Sequence, residues 1–122
     1  MQRKVGIVVF THGSRRDGGN QALLEFVTRL RARLGNERIE PAFMDLAEPT
    51  IPDAIARLLA SGCDHIRGFA LFLVPGSHLR EDVPSLFRQA LANHPGITWE
   101  ISPPLLEDPA MLDYVAVHLE NR

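Results

Sequence analysis

A single cysteine, Cys63, excludes an intrachain disulfide and points to a reducing, cytoplasmic compartment. No apolar run approaches the roughly 20 residues that a membrane-spanning helix needs, so no membrane partner is expected. The opening Met1-Gln2-Arg3-Lys4 is charged and runs straight into a short apolar segment. It shows no signal-peptide hydrophobic region and no small-residue cleavage site. A basic excess is also missing: 13 Lys and Arg stand against 15 Asp and Glu. That balance speaks against a nucleic-acid partner, which calls for a strongly basic surface. Linkers, low-complexity stretches, strong internal repeats and histidine- or cysteine-rich tails are all lacking. The missing tail leaves no suggestion of a metal store or an iron–sulfur cluster. The remaining composition, 45% hydrophobic and 23% charged, is enough to bury a core within one domain spanning residues 1–122.

The pattern along the chain alternates. Val5 to Phe10 is branched and aromatic and ends in Thr11-His12-Gly13-Ser14, a strand feeding a loop. Asp17-Gly18-Gly19-Asn20 carries turn and cap chemistry. Leu23, Phe26, Val27, Leu30 and Leu34 then recur at helical spacing, and Gly35-Asn36 stops that helix. A second strand is predicted from about Arg38 to Met44. Thr50-Ile51-Pro52-Asp53 reads as a capping box opening a helix with Ile55, Leu58 and Leu59 inward, closed by Gly62. The third strand, about Ile66 to Val74, is nearly all apolar and is expected to be buried on both faces. A third helix is predicted over Glu81 to Ala92, with Leu86, Phe87, Ala90 and Leu91 inward. Ile97 to Ile101 follows as a fourth strand. Asp108-Pro109 starts a last helix with Met111, Leu112, Val115 and Leu119 on one face. The order β-α-β-α-β-α-β-α predicts an α/β domain: a four-stranded parallel sheet flanked by helices on both faces.

In open α/β sheets, ligands bind beyond the carboxyl ends of the strands. The loops there hold His12, Arg15 and Arg16 after the first strand, Asp45 and Glu48 after the second, and His78 and Arg80 after the third. Imidazole suits both divalent-metal ligation and proton acceptance near neutral pH. Glu48 adds an anionic oxygen, or serves the dipole of the helix that follows. Asp45 is a second choice, with loop capping as its other role. Gly13 and Gly76 allow close backbone approach to a ligand, or simply make turns. Arg15, Arg16 and Arg80 are individually surface charges, but together they form a positive rim suited to a polycarboxylate. His65, His94 and His118 fall away from this edge, and Cys63 reads as an inert small residue.

At this point the motifs carry a resemblance. The matching stretches are Phe10-Thr11-His12-Gly13-Ser14-Arg15, then Ala42 to Pro52, and then Leu71 to His78 followed by Asp82-Val83-Pro84. Ser102-Pro103-Pro104-Leu105 is a fourth. In this order they resemble the small form of the sirohydrochlorin chelatases, the class II tetrapyrrole chelatases. The resemblance implies insertion of Co²⁺, Fe²⁺ or Ni²⁺ into sirohydrochlorin or a related tetrapyrrole, in cobalamin- or sirohaem-type biosynthesis. The metal is then a substrate, with no tightly bound cofactor. His12 and His78 are implied as metal ligands, with His12 also a proton acceptor, and Glu48 as a contact to substrate or metal. Phe72, Leu73, Val74, Pro75, Gly76 and Ser77 are implied to line the tetrapyrrole pocket; the positive rim read above from Arg15 and Arg80 would meet the carboxylates of such a substrate. Longer members carry two such units in one chain, so the resemblance implies a homodimer here.

Other readings remain open on the residues alone. A histidine phosphatase would use His12 as nucleophile, but such enzymes place Arg before the His-Gly pair, where Thr11 stands. A flavodoxin-like binding module would use the first loop for phosphate. A non-catalytic tetrapyrrole or metal carrier would use the same site without turnover.

Overall fold

Apolar strands separated by amphipathic helices can bury their faces only by layering, and the computed structural model shows that arrangement. The structure describes residues 3–74, 76 and 79–120. The strands are β1 (Val5–Thr11), β2 (Ile39–Phe43), β3 (His65–Ala70) and β4 (Thr98–Ile101). The helices are α1 (Asp17–Leu34), α2 (Ile51–Ala60), α3 (Leu79–Ala90) and α4 (Pro109–Leu119), with a short 3₁₀ turn at Leu105–Glu107 before α4. All strand pairings are parallel, in the order β2-β1-β3-β4. The predicted α/β class and sheet are borne out.

Two apolar layers hold the sheet. On one face Val8, Phe10, Ile66 and Ala70 pack with Ile51, Ile55 and Leu58 of α2 and Val83 and Phe87 of α3. On the other, Val9, Ile39 and Phe43 pack with Leu23 and Val27 of α1. The capping box forms as expected. Thr50 Oγ1 accepts from the Asp53 backbone N–H at 3.2 Å, and Asp53 Oδ2 accepts from the Thr50 N–H at 3.0 Å. Gly35 closes α1 in the left-handed region, with φ 59°.

Four expectations need correction. Asp17-Gly18-Gly19-Asn20 does not form a turn before α1; it is the first turn of the helix itself. Asn20 instead clasps the preceding loop: its Oδ1 accepts from the Ser14 N–H at 3.0 Å, and its Nδ2 donates to the Ser14 carbonyl at 2.7 Å. In α1, Phe26 and Leu34 are exposed, and Leu24 packs inward in their place. The third strand ends at Ala70, four residues short of Val74, and Leu73 and Val74 are 55% and 60% exposed. The reason is partner supply. β4 is paired with β3 only as far as Gly68↔Ile101 and β1 only as far as Phe10↔Ala70, so no strand partner remains past Ala70. The backbone there serves the 3₁₀ turn instead, the Phe72 and Leu73 carbonyls accepting from the Leu105 and Leu106 N–H groups. Last, α4 forms where expected, but its apolar residues Leu112, Val115 and Leu119 are exposed and the helix buries none of its residues.

Candidate active site

The register of β1 on β2 decides what meets at the carboxyl edge. Thr11 lies opposite Phe43, and the pairing continues past the strands: Met44 N–H donates to the Thr11 carbonyl at 2.8 Å and Asp45 N–H to the His12 carbonyl at 3.0 Å. The first two loops are therefore laced together, with His12 beside Asp45 by backbone geometry. Gly13 makes the lacing possible. Its φ is +92°, and a β-carbon there would overlap the Asp45 carbonyl oxygen. The His12 ring is exposed and rests 5.2 Å, centroid to centroid, from the Phe72 ring. Phe72 in turn stands edge-on to buried Phe10, so the histidine is seated on the core.

His12, Met44 and Asp45 form one wall of an open hollow of about 420 Å³. Asp82, Ser85, Leu86 and Gln89 of α3 form the other wall. Sequence reasoning singled out Asp45 but not Ser85 or Gln89, and used Asp82 only as part of a motif. The signal was present. Positions 82, 85, 86 and 89 share one helical face, and three of the four are polar. A second hollow of about 240 Å³ lies alongside, lined by Phe10, Phe72, Arg80, Val83 and Pro104, among others.

The remaining candidates divide. Glu48 is exposed and does not line the hollow that holds His12. Asp45 does, while its Oδ1 also accepts from the Leu46 N–H at 2.8 Å, so it caps the loop as well. Arg15 is exposed beside the first loop. Arg80 is not a free cation: its Nη2 donates to Glu107 Oε2 at 2.7 Å. Leu73 and Val74 offer an exposed apolar surface, and Gly76 is exposed with open space around its α-carbon. Pro75, Ser77 and His78 lie outside the described residues. Among the described residues, no three His, Cys, Asp or Glu side chains converge as a metal cluster.

The groups set aside from this edge behave as expected. His65 opens β3, is buried, and shares a 2.6 Å hydrogen bond through Nδ1 with Thr98 Oγ1. Cys63 is buried in the core, and burial pushes its thiol pKa up. Both lie at the opposite, amino end of the strands.

An open parallel α/β sheet with a histidine, acids and apolar side chains at its carboxyl edge defines a ligand-binding class in which loops do the chemistry. The chain belongs to the CbiX family, whose family model matches residues 6–121. It is 39% identical over 116 residues to the sirohydrochlorin ferrochelatase, chloroplastic, of Arabidopsis thaliana, covering 95% of this chain and 52% of that protein. It is 34% identical over 83 residues to a sirohydrochlorin cobaltochelatase of Methanopyrus kandleri, covering 67% of this chain and 57% of the relative. The chain thus spans little more than half the length of these curated relatives. Among solved structures, it superposes on a CbiX protein from Marinobacter aquaeolei VT8 with TM-score 0.73 and 28% identity, covering 94% of this chain and 97% of that one. The sirohydrochlorin chelatase SirB of Bacillus subtilis subspecies spizizenii, in complex with cobalt, matches with TM-score 0.81 and 26% identity. That match covers 95% of this chain but 50% of SirB.

Proposed function

We propose that this chain inserts a divalent metal, Co²⁺, Fe²⁺ or Ni²⁺, into sirohydrochlorin or a closely related tetrapyrrole. The observation that carries the reading is His12. It is an exposed imidazole backed by Phe72 at the carboxyl edge, opening on a hollow with two carboxylates, in a chain of the CbiX family.

Insertion must strip water from the cation, bend the macrocycle and remove two pyrrole N–H protons. A neutral imidazole nitrogen can replace water on the metal, or it can take a proton. One nitrogen cannot do both at once, so His12 and His78 divide the roles. Asp45 and Asp82, which share the hollow with His12, are placed to receive the released protons. Glu48, further out, meets the substrate's edge. The apolar run of half-buried Phe72 and exposed Leu73 and Val74, with the loop through Ser77, packs on the macrocycle face. Arg15 and Arg80 meet its carboxylates. The metal is a substrate and has to leave with the product, which favours few protein ligands and open coordination positions over a closed structural site.

The hollows are open on one side, and a tetrapyrrole needs a second wall. A homodimer supplies it, and cyclic pairing is the commonest route to such closure. The proposed compartment is the cytoplasm; among the described residues no helix is long and apolar enough to cross a membrane.

The test is anaerobic incubation with sirohydrochlorin and each metal in turn, followed by absorbance. Metallated product should form with at least one metal. His12→Ala and His78→Ala should each cut the rate on the order of 100-fold or more, the usual scale for a lost acid–base or ligand group. His94→Ala, in an exposed turn, should leave it unchanged. Substrate binding without turnover would identify a carrier instead, and unchanged rates in both histidine variants would overturn the site.

A further inference from the structure

The loop after β2 closes on itself. Phe43 N–H donates to the Pro49 carbonyl at 2.8 Å, so the stretch from Met44 to Glu48 must reverse the chain. Leu46 sits in the left-handed region, with φ 68°, and among the described residues it is the sole non-glycine with positive φ. Its N–H donates to Asp45 Oδ1 at 2.8 Å. The reversal uses a left-handed residue, but it does not need a leucine. Glycine or asparagine takes that conformation at much lower steric cost. Burial does not compensate either. Ala47, the next residue, packs on the α1 side of the sheet, while Leu46 is 52% exposed. A large apolar side chain thus stands in water on a backbone that disfavours it. Strain held without a packing return points to a contact made only when a ligand is present.

Sheet order says where that contact falls. In β2-β1-β3-β4, Leu46 lies beyond β2, His12 beyond β1, and Leu73 and Val74 beyond β3. β2 and β3 are two ladder steps apart, about 10 Å. Exposed apolar side chains therefore stand on either flank of the exposed His12. A ring of four pyrroles is a flat apolar body with its metal position at the centre and its carboxylates at the rim. Laid across this edge, it rests on both flanks with its centre over the imidazole. We infer that Leu46 is a substrate contact: it supports the macrocycle face on the β2 side of His12, as Leu73 and Val74 do on the β3 side. The two supports fix the tilt of the ring above the histidine. This inference rests on the chelatase reading proposed above and adds to it a residue that lies outside the hollow holding His12.

The experiment titrates the full chain with metal-free sirohydrochlorin and follows quenching of Trp99, the single tryptophan. Insertion rates, urea unfolding and sedimentation are measured alongside. Leu46→Asn keeps the size of the side chain and suits the left-handed backbone, but it is polar. It should raise Kd and KM on the order of 10-fold, the scale of one lost apolar contact, with kcat unchanged. Its urea midpoint should rise, because the strain is relieved. Leu46→Met restores an apolar contact and should bind within about twofold of wild type. Equal Kd in wild type and Leu46→Asn would overturn the inference. A lower urea midpoint in both Leu46→Asn and Leu46→Gly would show that the leucine serves the fold, and would overturn it as well. So would weaker self-association of Leu46→Asn with Kd unchanged, which would put the side chain between copies of the chain. Should Leu46→Asn fail to fold, Leu46→Gly is titrated in its place. A wild-type chain that does not bind sirohydrochlorin would remove the chelatase reading and this inference with it. Normal binding and turnover in a chain indifferent to Leu46→Asn would remove Leu46 alone.

Discussion

Gly13 and Asp45 are in backbone contact across the first two loops: the α-carbon of Gly13 lies against the Asp45 carbonyl, where no β-carbon fits. Because the Asp45 N–H is bonded to the His12 carbonyl, the contact sets where His12 stands. Gly13→Ala must push the two loops apart and hold alanine at φ +92°. A cost of about 1–3 kcal/mol in urea unfolding is expected, with a marked loss of insertion rate. Gly35→Ala is the control. It is also left-handed but has nothing within 4 Å of its β-carbon position. It should cost about 1 kcal/mol and spare the rate.

To meet a substrate carboxylate as proposed, Arg80 would have to leave Glu107. The pair is exposed, and exposed ion pairs are worth about 1 kcal/mol or less. Glu107→Gln should therefore release Arg80 and lower KM for the tetrapyrrole about two- to fivefold, in keeping with that energy, with kcat unchanged. Arg80→Gln should raise KM. If Glu107→Gln leaves KM untouched, Arg80 does not serve the substrate.

Acid stability should report the α2 cap. The Asp53 carboxyl is held below its ordinary value chiefly by the Thr50 backbone N–H, then by the Thr50 side chain and, less, by Arg57. A depressed folded pKa gives stability that is complete above the unfolded value of about 3.9 and is lost as pH falls through the folded value. Wild type and Asp53→Asn should thus converge in stability near pH 2 and separate up to about pH 4, remaining apart above it. Urea unfolding across pH 2–6 reads this out; a constant offset would contradict it. Thr50→Ala, which removes the cap, should cost about 1 kcal/mol at neutral pH.

Gly68 lies at the centre of β3 under the Phe87 ring. A β-carbon there would stand 2.7 Å from Phe87 Cζ and 3.3 Å from Phe10 Cε1. Gly68→Ala should destabilise by about 1–3 kcal/mol through overpacking. Phe87→Leu in the same chain should recover part of that loss, since it withdraws the atom in the way. Thermal or urea unfolding of the four members of this cycle measures the coupling. Simple addition of the two single effects would show that ring and strand are not in conflict.

Local signals in the sequence determined the elements and the edge that bears the site. Apolar periodicity placed four strands and four helices. Thr50 and Asp53 announced a cap, Gly35 announced a stop, and the alternation made the sheet parallel. His12 followed from its position just past a strand, because that position is local. What the sequence left open was settled by partners far away in the chain. β3 stops at Ala70 because its pairing with β1 ends there and β4 pairs no further than Gly68, so Leu73 and Val74, apolar enough for a strand, stand in the open. The acids beside His12 proved to be Asp45 and Asp82 while Glu48 faces outward, since the β1-β2 register and the docking of α3 choose which carboxylates share a hollow. The stripe on α4 predicted an amphipathic helix equally well whether or not anything covers it. Periodicity specifies a face, but only tertiary structure decides whether this chain covers that face itself, and here it does not.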